Sequence, residues 1–386
     1  MLIIADLPLY EYTQVSRERP DIKMIILELH YYNTRMKFSS NIVFNSYLFL
    51  LLIFLFDAIP GLRGSSGDLD PVYRDCLLGR QTQSLSISKE AKEYERSAEY
   101  ECLSGNRDLC EYNCMQWISV CRRDRGYHVL KYYGHWPYLR VWGMQEPASA
   151  VFSLLNAIPH MIALFYGKIR CRYIRHNNYM APWLALYPYI SINAWIASTL
   201  YHASHGHEQQ HHMTLFSTSM YDYMSALAIL AYSLVMVIRK IIGQENHTVK
   251  IWGMVNSFIV LSTALFLYQM YRMFMGFVSY DSHMRVCIFL AGSNSVMWLL
   301  WIIFATDCTM KRRMLCLICN IWFIGASLLE LFDFEPLLFH FDAHSLWHAA
   351  TVPLGFLWYA FWIIDVEESM LTAKPTIRDQ NTPKLS

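Results

Sequence analysis

Beyond residue 146 the chain alternates between long apolar stretches and short polar ones. Apolar runs of spanning length recur at about 147–167, 183–203, 217–238, 251–271, 286–305, 314–332 and 346–364, and a helix needs about 20 such residues to cross the hydrocarbon core of a bilayer. The pattern predicts an all-α membrane protein, a seven-transmembrane helix bundle over 147–366 with a tail at 367–386. Residues 67–146 are instead polar, rich in Tyr and Arg, bear cysteines and hold no long apolar run. They predict a small extramembrane segment.

A shorter apolar run, Ile42 to Phe56, follows a basic start at Met36-Lys37-Phe38 and precedes small residues after Pro60. Basic start, apolar centre and small-residue exit are the order of a secretory signal peptide, predicted over 36–66, and the run is short for a membrane anchor. Residues 1–35, with Arg17, Glu18, Arg19, Asp21 and Lys23, do not resemble a targeting signal. They read as an upstream extension, with translation starting at Met36.

Composition supports the membrane assignment: 54% of the 386 residues are hydrophobic and only 16% charged, against about 25% charged in soluble domains. A net charge of +1 leaves no electrostatic footprint for nucleic acid. Charge is informative by position. Lys168, Arg170, Arg172, Arg175, Arg239, Lys240, Lys250, Lys311, Arg312 and Arg313 fall on one set of alternate loops, and only Arg272 and Arg285 on the other. Because Lys and Arg accumulate in short cytoplasmic loops, residues 67–146 are expected in the lumen and the tail in the cytosol. The Asn246-His247-Thr248 sequon then falls on the cytosolic side and carries no glycan. The ten cysteines divide likewise. Cys76, Cys102, Cys110, Cys114 and Cys121 lie in the polar segment, where an oxidising lumen favours disulfides; an odd number leaves a thiol over, and the pairing is not legible.

Ionisable groups within membrane helices are costly and therefore functional candidates. Ser198 and His202, spaced i and i+4, close the second predicted helix; Asp222 lies early in the third; His344 and His348, again i and i+4, open the seventh. By the predicted topology all five lie at the lumenal face. Residues four apart share a helix face, and three histidines with an open fourth position make a catalytic zinc site, a nearby carboxylate taking the proton. Structural, hydrogen-bonded histidines are the plainer alternative. His205, His207, His211 and His212 read as a solvated loop, and Glu330, Asp333 and Glu335 as an acidic lumenal lip, with groups supporting the metal ligands as the other reading. Glu146 stands open between supporting the site and ending the extramembrane segment.

Several motifs carry a resemblance. Asp68 to Cys76 (Asp-Leu-Asp-Pro-Val-Tyr-Arg-Asp-Cys), Tyr132-Tyr-Gly-His-Trp-Pro-Tyr, Gln145-Glu-Pro-Ala-Ser, Asn193-Ala-Trp-Ile-Ala-Ser-Thr-Leu-Tyr-His and Asp342-Ala-His-Ser-Leu-Trp-His resemble, in order, the post-GPI-attachment-to-proteins factor three family. That family is grouped with alkaline ceramidases and adiponectin receptors as seven-helix hydrolases and receptors. The resemblance implies removal of the sn-2 acyl chain from glycosylphosphatidylinositol (GPI) already attached to proteins, before reacylation with a saturated chain. It implies zinc on His202, His344 and His348, with Asp222 and Ser198 as catalytic partners. It also implies GPI-anchored proteins and membrane lipid as substrates, and a multi-pass location in the Golgi membrane or, alternatively, the endoplasmic reticulum. A ceramidase-like amidase and a non-catalytic lipid- or client-binding escort or receptor are the other readings; neither the clients nor the oligomeric state is legible. Two departures stand out. Arg80 and Asn106 occupy places where the family has cysteines, and the histidine-rich stretch lengthens the interval between His202 and Asp222.

Overall fold

The computed structural model describes residues 65–80, 85–167, 179–204, 218–243, 263–264, 266–275, 280–305 and 308–372. The predicted signal peptide except Ser65 and Ser66, the upstream extension, the histidine-rich loop, the sequon and most of the fourth predicted span lie outside them, as does the tail beyond Thr372. The described part is helical, with isolated β-bridges in place of strands. It is an all-α membrane protein.

Three helices form an N-terminal cap: α1 (Pro71–Leu77), α2 (Lys89–Ser104) and α3 (Arg107–Asp124). Each begins at a residue whose side chain satisfies a free backbone N–H: Asp70 for Val72, Ser88 for Ala91, Asn106 for Leu109. So little chain buries only a small core, around Tyr73, Ala91, Met115, Trp117 and Tyr132. Disulfides Cys76–Cys114 and Cys102–Cys110 staple it. Cys121 is the thiol left over; it is free and buried, and burial pushes its pKa up, away from reactivity. Of the two residues that stand where the family has cysteines, Arg80 pairs with Asp75 at 3.3 Å and Asn106 serves as the cap of α3.

Among the described residues six long helices follow: α4 (Pro147–Phe165), α5 (Ala181–Ala203), α6 (Thr218–Gly243), α7 (Tyr280–Phe304), α8 (Met310–Phe332) and α9 (Ala343–Thr372). Each packs on the next, and α9 packs on α4, closing a ring. Five are long and apolar enough to cross a membrane. The sixth, α5, has the length but carries Tyr187, Tyr189, Asn193, Tyr201 and His202, which lower its hydropathy. Burial is inverted relative to a water-soluble bundle. On α4 the buried positions are Ser149, Ala150, Ser153, Asn156, Ala157 and His160, whereas Val151, Leu154, Ile162 and Phe165 face outward. Small and polar residues between helices with large apolar ones outside suit a lipid surround. α9 approaches α4 closely at Gly355, where an added Cβ would lie 2.6 Å from Pro159 Cγ.

At one end of the ring Lys240 bonds Asp365 at 2.6 Å and Arg312 reaches the same carboxylate at 3.1 Å, all three nearly inaccessible. Two of the ten presumed loop cations are therefore buried ion-pair partners. The functional candidates gather at the opposite end.

Candidate metal centre

The i,i+4 spacing of His344 and His348 in the first turns of α9 aims both imidazoles at the C-terminal end of α5, where His202 projects between them. The three Nε2 atoms form a triangle with sides of 3.0, 3.2 and 3.3 Å. Tetrahedral zinc with bonds of 2.0–2.1 Å to nitrogen requires neighbouring nitrogens about 3.3–3.4 Å apart. The triangle thus matches one face of a zinc tetrahedron.

The outer nitrogens strengthen this fit. His202 Nδ1 lies 2.7 Å from Glu146 Oε2, and His344 Nδ1 lies 2.5 Å from Glu330 Oε2. A carboxylate acceptor makes Nδ1 the protonated nitrogen and leaves the lone pair on Nε2. His348 Nδ1 faces Ser153 Oγ at 3.4 Å. Lone pairs crowded to about 3 Å repel one another unless a cation lies among them, so the donor set suits a metal. His202 and His348 are almost completely buried.

Each carboxylate comes from a neighbouring element. Glu146 immediately precedes Pro147 of α4, and its backbone N–H donates to the His202 carbonyl at 2.9 Å. Its second oxygen, Oε1, is 3.4 Å from His135 Nδ1 in the cap. Burial would raise the pKa of Glu146, but the two imidazoles outweigh it and hold the carboxyl below the usual range. Glu330 lies in the last turn of α8. It belongs to the site, which corrects its reading as part of an acidic lip. Asp333 and Glu335 do form the rim, where they bind the cap: Asp333 accepts from Trp136 Nε1 at 3.1 Å and from Lys131, and Glu335 accepts from the Val129 N–H at 2.9 Å.

Ser198, one turn before His202, does not reach a histidine. Its Oγ meets Ser153 Oγ at 3.0 Å, and Ser153 relays it to His348. Asp222, in the first turns of α6, is near enough for its charge to act on His202 and His344. Ser153 and Asn156, which donates from Nδ2 to the His348 carbonyl at 2.8 Å, are functional residues missed in the sequence. The polar stripe Ser149, Ser153, Asn156, His160 at helical spacing on an otherwise apolar α4 was the signal that could have found them.

A profile described as the Per1-like family matches residues 94–366, most of the chain and all of this site. The chain belongs to the Per1-like family. Among its relatives, a protein of Cricetulus griseus named "GPI-specific phospholipase A2-like PGAP3" is 31% identical, over 77% of this chain and 88% of its own. A Mus musculus protein of the same name is 30% identical, over 81% and 92%. A Drosophila melanogaster protein named "Post-GPI attachment to proteins factor 3" is 28% identical, over 80% and 91%. Per1-like membership agrees with the resemblance carried by the motifs. No solved structure matches the chain.

Proposed function

We propose that this chain hydrolyses the sn-2 acyl ester of GPI anchors on proteins, as a zinc-dependent phospholipase A2 of the secretory pathway. The products are a free fatty acid and a lyso-anchor that a separate acyl transfer can refill. The observation that carries the reading is the Nε2 triangle of His202, His344 and His348, each ring backed on its far side by a side-chain oxygen from another element. The names of the relatives support the substrate class.

His202, His344 and His348 would hold the zinc, which supplies a Lewis acid for the ester carbonyl and lowers the pKa of water. Glu146 and Glu330 fix the tautomers of His202 and His344 and orient their rings. Asp222 stands at the same end of the bundle to accept the proton that water loses on attacking the ester, and to return it to the departing sn-2 oxygen. Ser198, acting through Ser153, positions His348. The cap and site share one end of the ring, and the bias of basic loops supports a lumenal placement of both, the leaflet where an anchored protein sits. The family resemblance supports a location in the Golgi membrane, with the endoplasmic reticulum as the alternative.

The test is lipid analysis of GPI-anchored proteins from cells lacking this protein, complemented with wild type or His348→Ala. Restored exchange of unsaturated for saturated sn-2 chains by wild type alone, with zinc present in purified wild type and lost from the mutant, is expected. Equal rescue by both would overturn the assignment and favour an escort role. A defect confined to ceramide turnover would favour an amidase.

A further inference from the structure

We propose that the N-terminal cap is part of the metal site: through His135 and Tyr138 it sets the rings of two of the three metal-binding histidines, so that metal is held tightly only while the cap is docked. The inference rests on the reading of the triangle as a zinc site and adds a set of positioning residues that lie outside the membrane helices.

The first line runs to His202. His135 lies 3.4 Å from Glu146 Oε1, while Glu146 Oε2 accepts from His202 Nδ1 at 2.7 Å. One buried carboxylate is thus shared between a cap residue and a metal-site residue, and each contact restricts its rotation about the other. His135 is itself held by reciprocal backbone bonds with Tyr132 of 2.8 and 2.9 Å. That turn is tied to the start of the cap, Tyr133 N–H donating to Asp68 Oδ1 and Gly134 N–H to Ser65 Oγ.

The second line runs to His344. Tyr138, nearly inaccessible, donates from its hydroxyl to Asp342 Oδ2 at 2.6 Å. The other oxygen of Asp342 accepts the backbone N–H of Ser345 at 2.9 Å and caps α9, whose second residue is His344. The Tyr138 carbonyl in turn accepts from Gln116 Nε2 of α3 at 2.7 Å, so disulfide-linked α3 sits directly behind the contact. Trp136 and Lys131 bind Asp333, and Leu139 N–H donates to the Phe339 carbonyl, fixing the loop between α8 and α9 to the same strip of cap. Five consecutive residues, His135 to Leu139, therefore reach both ends of the metal triangle's scaffold.

Outer partners of metal ligands are worth ten- to hundredfold in metal affinity. The experiment compares full-length wild type, His135→Ala, His135→Gln and Tyr138→Phe in detergent, titrating bound zinc against a chelator and following thermal unfolding of the metal-free proteins. His135→Ala and Tyr138→Phe should each release zinc at about tenfold lower chelator concentration. His135→Gln, which keeps a donor toward Glu146, should recover part of the loss, and the loss of zinc affinity should exceed any loss of metal-free stability. Wild-type zinc affinity in both His135→Ala and Tyr138→Phe would overturn the inference while leaving the site reading intact. Weakened affinity that tracks lowered metal-free stability, without rescue by Gln, would reduce the cap to a structural element and overturn it too. Absence of stoichiometric zinc from wild type would overturn the site reading and this inference with it.

Discussion

Glu330 Oε2 lies 2.5 Å from His344 Nδ1, a contact between the last turn of α8 and the first turn of α9. It commits that imidazole to presenting Nε2 inward, and it makes the loop joining the two helices part of the site's frame. Glu330→Gln keeps the size of the side chain but replaces the charged acceptor with a neutral amide. The expected result is a ten- to hundredfold loss of zinc affinity or sn-2 hydrolysis, read by chelator competition and by fatty acid release.

Ser153 stands between Ser198 and His348, so the two serines are not equivalent. Ser153→Ala removes the partner of His348 Nδ1 and of Ser198 together, whereas Ser198→Ala leaves Ser153 in place. Zinc retention should fall by about tenfold in Ser153→Ala, at the lower edge for such partners, and less in Ser198→Ala. The reverse order in chelator titrations would contradict the relay.

The cap depends on its disulfides. Opening Cys76–Cys114, which closes a loop of sequence separation 38, should cost about 3–4 kcal/mol of cap stability on loop-closure grounds. Limited proteolysis of Cys76→Ser should then cut within residues 85–124 under conditions in which wild type resists. Cys121→Ala, which opens no disulfide, should stay resistant.

The tight crossing at Gly355 leaves no room for a methyl group. Gly355→Ala places a carbon against Pro159 and must spread α9 from α4, at a cost of about 1–3 kcal/mol. Thermal unfolding in detergent should register the loss.

The ion cluster at the far end separates stability from chemistry. Lys240→Met leaves the buried Asp365 with Arg312 as its remaining cation, so the loss should stay below the roughly 3–5 kcal/mol of a fully uncompensated buried charge. Unfolding temperature should drop while the zinc affinity of the folded protein stays at the wild-type value, because the triangle lies at the other end of the ring.

Much of the fold was legible because its signals are local. Apolar runs of bilayer length marked the helices that the structure describes, and His344 and His348 share a helix face because any residues four apart do. The family, too, was legible from short motifs in order along the chain. What the sequence left open depends on which helices become neighbours. Glu146 meets His202 across 56 residues and Ser153 meets His348 across 195, distances over which no periodicity carries information. Tertiary packing alone decided that Glu330, and not Asp333 or Glu335, backs one of the three clustered imidazoles, that Cys121 is the one of the cap's five cysteines left unpaired, and that Lys240 and Arg312 turn inward to Asp365. The residue types for the site could be read one turn at a time; their arrangement required the ring of helices to close.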